Sequence, residues 1–165
     1  MNSSQFNKIL VVKHGSLGDI AFSILAMASI KQFFSNATID LLTEEKYANF
    51  LSNSNYFNSI FKDNRKGIID SLKVILKINQ NKYDLIIDLQ NSKRTNNYWS
   101  FLKFISEVKV NGSRSNCDIQ YVIPPQGTES PQQGLYNQLK LLGVNEINQN
   151  VDWLSRDITA INEDK

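Results

Sequence analysis

The stretch 7–34, NKILVVKHGSLGDIAFSILAMASIKQFF, reads as a strand, a glycine-containing turn and a helix. Ile9-Leu10-Val11-Val12 is an uninterrupted apolar run, the pattern of a central parallel strand covered on both faces. Beyond the turn, Ile20, Ile24, Met27, Ile30 and Phe34 recur at steps of four, three, three and four. That spacing defines one face of an α-helix, and Ala21, Leu25 and Ala28 are expected to widen it. Strand, tight turn and helix form the opening unit of a doubly wound α/β domain. In such folds the turn, here Lys13-His14-Gly15-Ser16-Leu17-Gly18-Asp19, is where ligands sit.

Working outward, strands are expected at 8–12, 37–42, 57–61 and 83–89, with short ones at 108–110 and 119–123. Helices are expected at 19–34, from a Thr43 cap to Leu51, and over 67–79, where Ile68, Leu72, Ile75 and Leu76 hold helical spacing. A further helix carries Trp99, Leu102 and Ile105 on one face. Ser130-Pro131 pairs a capping hydroxyl with a proline at the first helical position. The stripe Leu135, Leu139, Leu142 follows, and Gly143 ends it. The alternation predicts a parallel sheet with helices on both faces.

Composition sets bounds. The 165 residues suffice for one domain, and 41% hydrophobic residues are ordinary for a globular chain. A net charge of +2 gives no argument for a nucleic-acid partner. Cys117 is the single cysteine, so no internal disulfide forms, which fits a reducing compartment. The opening MNSSQFNK lacks the apolar core of a signal peptide, and no apolar run approaches the roughly 20 residues of a membrane span.

The glycine spacing matches neither a dinucleotide fingerprint nor a P-loop, and no His/Cys/Asp/Glu cluster has metal-ligand spacing. No metal or cofactor is expected. Asp19 lies at a helix N-terminus, where the dipole keeps a carboxylate ionised. It serves there as a helix cap, as a general base, or as both. Gly15 and Gly18 permit a sharp turn or close approach of a ligand. His14, the only histidine, reads as a surface residue beside the turn. Lys13, Arg65-Lys66, Lys93-Arg94 and, more weakly, Arg114 follow strand ends, on the side where open α/β sheets bind ligands. Each reads either as a ligand contact or as a solvated charge. Asp88 ends a strand as a receiver-domain phosphoacceptor would, but the acidic pair such domains need is replaced by Lys13-His14-Gly15. Tyr98 and Trp99 read as packing residues.

The string KILVVKHGSLGDI, with Ser16-Leu17-Gly18-Asp19, resembles the start of the lipopolysaccharide heptosyltransferases, the ADP-heptose-dependent inverting glycosyltransferases of family 9. The resemblance continues at Ile39-Asp40-Leu41-Leu42-Thr43. It recurs at Tyr83 to Gln90 with Lys93, an Asp-Leu-Gln-x-x-Lys motif, and again around Leu135 to Gly143. Family members often have small or hydroxyl residues in place of His14 and Gly15, and glycine in place of Asn91. The resemblance implies the N-terminal, Rossmann-like half of a two-domain GT-B glycosyltransferase. Residues 1–145 would be the acceptor-side domain, and 146–165 a polar segment or linker. The nucleotide-sugar half would lie elsewhere, with the chain a truncated product, half of a split pair, or a fragment. Asp19 would be the catalytic base. Ser16 and Gly18 would shape the substrate turn, and Lys13, Arg65, Gln90, Lys93 and Arg94 would bind the acceptor. Implied partners are the anionic lipopolysaccharide core and a nucleotide sugar. The implied location is the cytoplasm, with at most peripheral contact at the inner face of the membrane. A rival reading is a catalytically silent Rossmann-like partner module.

Overall fold

The computed structural model describes residues 2–155. Six strands form one parallel sheet: β1 (Lys8–Val12), β2 (Thr38–Thr43), β3 (Ser59–Lys62), β4 (Leu85–Asp88), β5 (Lys109–Gly112) and β6 (Ile119–Gln120). Their order is β3-β2-β1-β4-β5-β6. The chain winds outward from β1 in one direction, then restarts beside β1 with β4 and winds the other way. This is the doubly wound arrangement expected from the sequence. The connecting helices are α1 (Leu17–Phe33), α2 (Glu45–Ser52), α3 (Ile68–Asn81), α4 (Lys93–Leu102) and α5 (Pro131–Lys140).

The two-residue period of the strands sorts the core into two layers. Ile9, Val11, Ile39, Leu41, Leu85 and Ile87 face one side, under α1, α2 and α5. Leu10, Val12, Leu42, Ile86 and Val110 face the other, under α3 and α4. The predicted face of α1, from Ile20 to Phe34, is buried throughout. Ala28 widens that face as expected and Leu25 is half-buried, whereas Ala21 is exposed and Ala26 takes its place.

Three other expectations are corrected. Thr43 is the last residue of β2 and caps nothing; α2 starts after Glu44 without a side-chain cap. In α3 the buried residues are Val74, Ile75 and Ile78, whereas Ile68, Leu72 and Leu76 are exposed. Ile105 lies past the end of α4 and is exposed. By contrast, Ser130 caps α5 as predicted by accepting from the Gln133 N–H, with Pro131 following it. Gly143 closes that segment with φ +94°.

Of the segment 146–165, residues 156–165 lie outside the described part. Within the rest, Trp153 is buried and donates to Tyr56 Oη at 3.0 Å. Among the described residues no helix is long and apolar enough to cross a membrane.

Trp99 joins the second layer to the sheet. It is fully buried, and its indole N–H donates to Asp88 Oδ2 at 2.7 Å. Trp99→Phe keeps most of the apolar bulk but leaves a buried carboxylate oxygen without its donor. The expected cost is about 1–3 kcal/mol, read as a lower urea midpoint at unchanged m-value.

Candidate functional site

β1 and β4 are neighbours, with Val12 opposite Asp88, and their following loops diverge into α1 and α4. The crevice between these loops is the topological switch point of the sheet.

The β1–α1 turn is built around a capping box. Ser16 Oγ accepts from the Asp19 N–H at 3.3 Å, and Asp19 Oδ2 accepts from the Ser16 N–H and Oγ, each at 3.1 Å. Asp19 remains exposed to solvent. Its carboxyl sits below the usual range, chiefly through the Ser16 backbone bond, with further help from the Ser16 hydroxyl and the Lys13 charge. Gly15 adopts φ +128°, and a Cβ there would lie 2.9 Å from Asp19 Cβ. At Gly18 an added Cβ would meet only Ser16 Oγ, at 3.7 Å. The turn therefore requires its glycine at 15, while 18 is an ordinary helical position.

Lys13 is not a solvated strand end. It is buried, and its ammonium donates to the Leu89 carbonyl at 3.1 Å. Burial lowers its pKa, an effect opposed by the charges of Asp19 and Asp88. His14 is likewise buried at 1% exposure, against the expectation of a surface residue. Its backbone N–H donates to Gln90 Oε1 at 3.0 Å, and its Nε2 lies 3.3 Å from Asp63 Oδ2. Asp63, fully buried just after β3, also accepts from Tyr98 Oη at 2.8 Å and from the Arg65 backbone N–H at 2.9 Å. Arg94 approaches the same carboxylate at 3.4 Å and bonds Tyr98 Oη through Nε. Burial would raise the Asp63 pKa, but the nearby His14 ring and the bonds from Tyr98 and Arg65 prevail and hold it well below its ordinary value.

Arg65 takes a left-handed backbone, φ +58°, and its guanidinium donates to Glu44 Oε1 at 2.7 Å. The same oxygen accepts the Gly15 N–H at 3.2 Å, so Glu44 joins the β1–α1 turn to the β3–α3 loop. Lys93 is exposed in the first turn of α4.

Asp88 is completely buried. Its Oδ1 accepts the Gln90 and Asn91 N–H groups at 3.0 and 2.9 Å. Burial pushes its carboxyl up from the ordinary range despite those bonds. No phosphoryl donor reaches a carboxylate so enclosed, which removes the receiver-domain reading. Asn91 has φ +51°, the conformation glycine tolerates best and asparagine next. That explains how Asn91 stands at a position where the resembling family usually has glycine.

The structure thus gathers Lys13, Ser16, Gly18, Asp19, Arg65, Gln90, Lys93 and Arg94 at the carboxyl edge of β1, β3 and β4. Their postures differ. Asp19, Arg65 and Lys93 face solvent, Arg94 is partly covered, and Lys13 is turned inward behind Asp19. Sequence reading missed Glu44, Asp63 and His14 as the members that tie these loops together. The available signal was their position directly after strands. Among the described residues no cluster of three or more His, Cys, Asp or Glu could hold a metal. Chemically, the edge offers an exposed, ionised carboxylate, Asp19, with the buried Lys13 charge acting on it.

Two substitutions test this construction. Gly15→Ala combines a disfavoured φ with a Cβ clash and should cost about 1–3 kcal/mol, seen as a lowered thermal midpoint. Asp63→Asn should cost about 3 kcal/mol at neutral pH, because a buried, multiply bonded charge is lost. Asp63 is more acidic folded than unfolded, so its stabilisation is present above its ordinary value of 3.8 and fades as pH falls below it. The stability gap between wild type and Asp63→Asn in denaturant titrations should therefore narrow on acidification through that range.

Comparison with known proteins bears on this edge. Over 87 residues, 50% of this chain, the sequence is 32% identical to lipopolysaccharide heptosyltransferase 1 of Campylobacter coli, of which it covers 25%. No family model matches the sequence. In fold the chain is similar to a family 9 glycosyltransferase of Veillonella parvula DSM 2008, with TM-score 0.72, 18% identity, and coverage of 94% of this chain and 48% of that one. It is also similar to E. coli heptosyltransferase WaaC solved with ADP-2-deoxy-2-fluoro heptose, with TM-score 0.60, 15% identity, and coverage of 87% and 50%. For E. coli ADP-heptose lipopolysaccharide heptosyltransferase II the values are 0.61, 16%, 87% and 44%. The chain spans a quarter of the length of the curated relative and about half of the structural neighbours. Sequence over half of this chain is thus similar to part of a lipopolysaccharide heptosyltransferase, and its fold over nearly all of its length is similar to about half of a family 9 glycosyltransferase.

Proposed function

We propose that this chain is the acceptor-side half of a heptosyltransferase-like, inverting glycosyltransferase of GT-B architecture. The observation that carries the reading is Asp19. It is an ionised, exposed carboxylate, fixed by the Ser16 capping box at the switch point, with Arg65, Lys93 and Arg94 along the same edge. In the proposed reaction an acceptor hydroxyl attacks the anomeric carbon of a nucleotide sugar. The new C–O bond forms as the bond to the diphosphate breaks, and the hydroxyl proton passes to Asp19. The nucleoside diphosphate leaves, and the anomeric configuration inverts. Arginine and lysine suit an acceptor rich in carboxylates and phosphates, as the lipopolysaccharide inner core is.

A structural neighbour holds an ADP-heptose analogue, which supports ADP-heptose as the donor class. Donor binding is assigned to a unit outside the part that this chain matches. The proposed site of action is the cytoplasmic face of the membrane, with neither metal nor cofactor taking part.

Calorimetry on the 165-residue chain tests the assignment of halves. A lipopolysaccharide inner-core fragment should bind, whereas an ADP-sugar should not. Binding of the ADP-sugar by this chain alone would reverse the assignment, and binding of neither would favour the silent partner module. With the donor-binding unit supplied, Asp19→Asn should lower turnover by about 10²–10⁴-fold, the usual contribution of a general base, while inner-core binding persists. Near-normal turnover would remove Asp19 from the base role.

A further inference from the structure

We propose that the cavity between the β4–α4 loop and the start of α5 is a subsite for a neutral, hydroxyl-rich group the size of a single sugar ring. The cavity measures about 290 Å³, near the ~300 Å³ lower end of small-molecule sites. It adjoins the switch-point edge through Asn91, whose neighbour Gln90 accepts the His14 N–H. Its lining is mixed. Ile123, Pro124 and Leu135 supply apolar surface, while Asn91, Gln138 and Glu129 supply polar groups. A sugar ring offers the matching surfaces, C–H faces for the former and a rim of hydroxyls for the latter.

Charge selects the neutral class. Among the described residues the lining carries one charged side chain, Glu129, and no cation. Arg114 lies outside it and donates through Nε to the Asn91 carbonyl at 2.6 Å. A carboxylate or phosphate seated in the cavity would face Glu129 with no cation to offset the repulsion. An uncharged hydroxyl can donate to that carboxylate instead. Glu129 is fixed for the purpose. Its Oε1 accepts from Tyr121 Oη at 2.6 Å and its Oε2 from Asn137 Nδ2 at 2.9 Å, which leaves acceptor capacity on both oxygens. Gly134 makes room for it, since a Cβ there would lie 3.0 Å from Glu129 Oε1. Asn91 Nδ2 donates to Gln138 Oε1 at 2.7 Å, and Gln138 Nε2 to Asn111 Oδ1 at 3.0 Å, so the amides are held in place by one another. Ser113 Oγ, buried in the same lining, has no hydrogen-bond partner, a deficit that a ligand hydroxyl would make good. That the occupant belongs to the acceptor rests on the function proposed above; its neutrality rests on the lining alone. The acceptor then joins an anionic portion at Arg65, Lys93 and Arg94 to a neutral sugar in this cavity.

Amide chemical-shift titrations of the 165-residue chain test the subsite with a matched pair, methyl β-glucoside and methyl β-glucuronide, which differ by one carboxylate. The glucoside should shift the amides of Ser113, Tyr121, Gly127 and Gly134 and leave that of Asp19 in place. The glucuronide should bind at least about tenfold more weakly at low salt. Glu129→Gln removes the opposing charge and keeps an acceptor oxygen, so the preference should narrow to about threefold or less. Ile123 is exposed, so Ile123→Ser should keep the thermal midpoint while weakening glucoside binding about threefold or more. The proposal fails if the glucoside shifts no amide or only amides elsewhere, or if the two sugars bind wild type equally. It fails equally if Glu129→Gln leaves the preference unchanged or Ile123→Ser binds like wild type. Neither probe needs Asp19 or a donor. Glucoside binding without inner-core binding would therefore overturn the function proposed above and leave the subsite standing, and inner-core binding without glucoside binding would do the reverse.

Discussion

The crevice exists because right-handed crossovers leave β1 and β4 in opposite directions. β1 hands the chain to α1 and then to β2 on one side, while β4 hands it to α4 and β5 on the other. Two adjacent parallel strands thus end side by side, and their following loops part from there. Their carboxyl ends would drift apart unless stitched. The stitches are Lys13 to the Leu89 carbonyl, and the His14 N–H to Gln90 Oε1. A lysine is tolerated in this buried place because Asp19 and Asp88 lie on either side and oppose the desolvation that would strip its charge.

Three carboxylates near this edge are given three characters by their surroundings. Asp88 is enclosed, and burial raises its pKa, so it acts as an internal acceptor that shapes the Gln90–Asn91 turn and holds Trp99. Asp63 is just as buried, yet the adjacent His14 ring and the bonds from Tyr98 and the Arg65 backbone keep it ionised. It serves as the post to which α4 and the β1–α1 turn are tied. Asp19 alone is both ionised and exposed. Of the three, it is the one a substrate can touch, and this follows from exposure and hydrogen bonding rather than from residue type.

The strands and the α1 turn were legible in the sequence because their signals are local: a run of four apolar residues, a glycine, a helical period. The site was legible only in part. Asp19 declares itself through Ser16, three residues away. His14, Glu44 and Asp63 acquire their roles from partners 21 to 76 residues distant, such as Glu44 with Arg65 and His14 with Gln90, and no local spacing announces those pairings. The α3 stripe shows a different failure. Periodicity establishes that a helix forms, but when apolar residues exceed what one face can bury, it does not say which arc the sheet will take.

Tying Asp19 into a helix cap has a chemical consequence for the proposed reaction. The Ser16 bonds that fix the carboxylate also lower its pKa, and a less basic carboxylate pulls weakly on an alcohol whose proton is not yet acidic. Proton transfer then becomes favourable only once the acceptor oxygen has begun to bond to the anomeric carbon and carries positive charge. A base of this kind suits a transition state in which departure of the diphosphate runs ahead of nucleophilic attack, so that the sugar carbon, rather than the base, draws in the acceptor. What the capping box contributes is position. The carboxylate needs no reorganisation at the moment the proton becomes acidic, and a fixed site for the developing charge outweighs raw basicity. The helix N-terminus thus lets the residue that supports the turn also be the proposed base, and Gly15, the residue against Asp19 Cβ, is what allows the two to coincide.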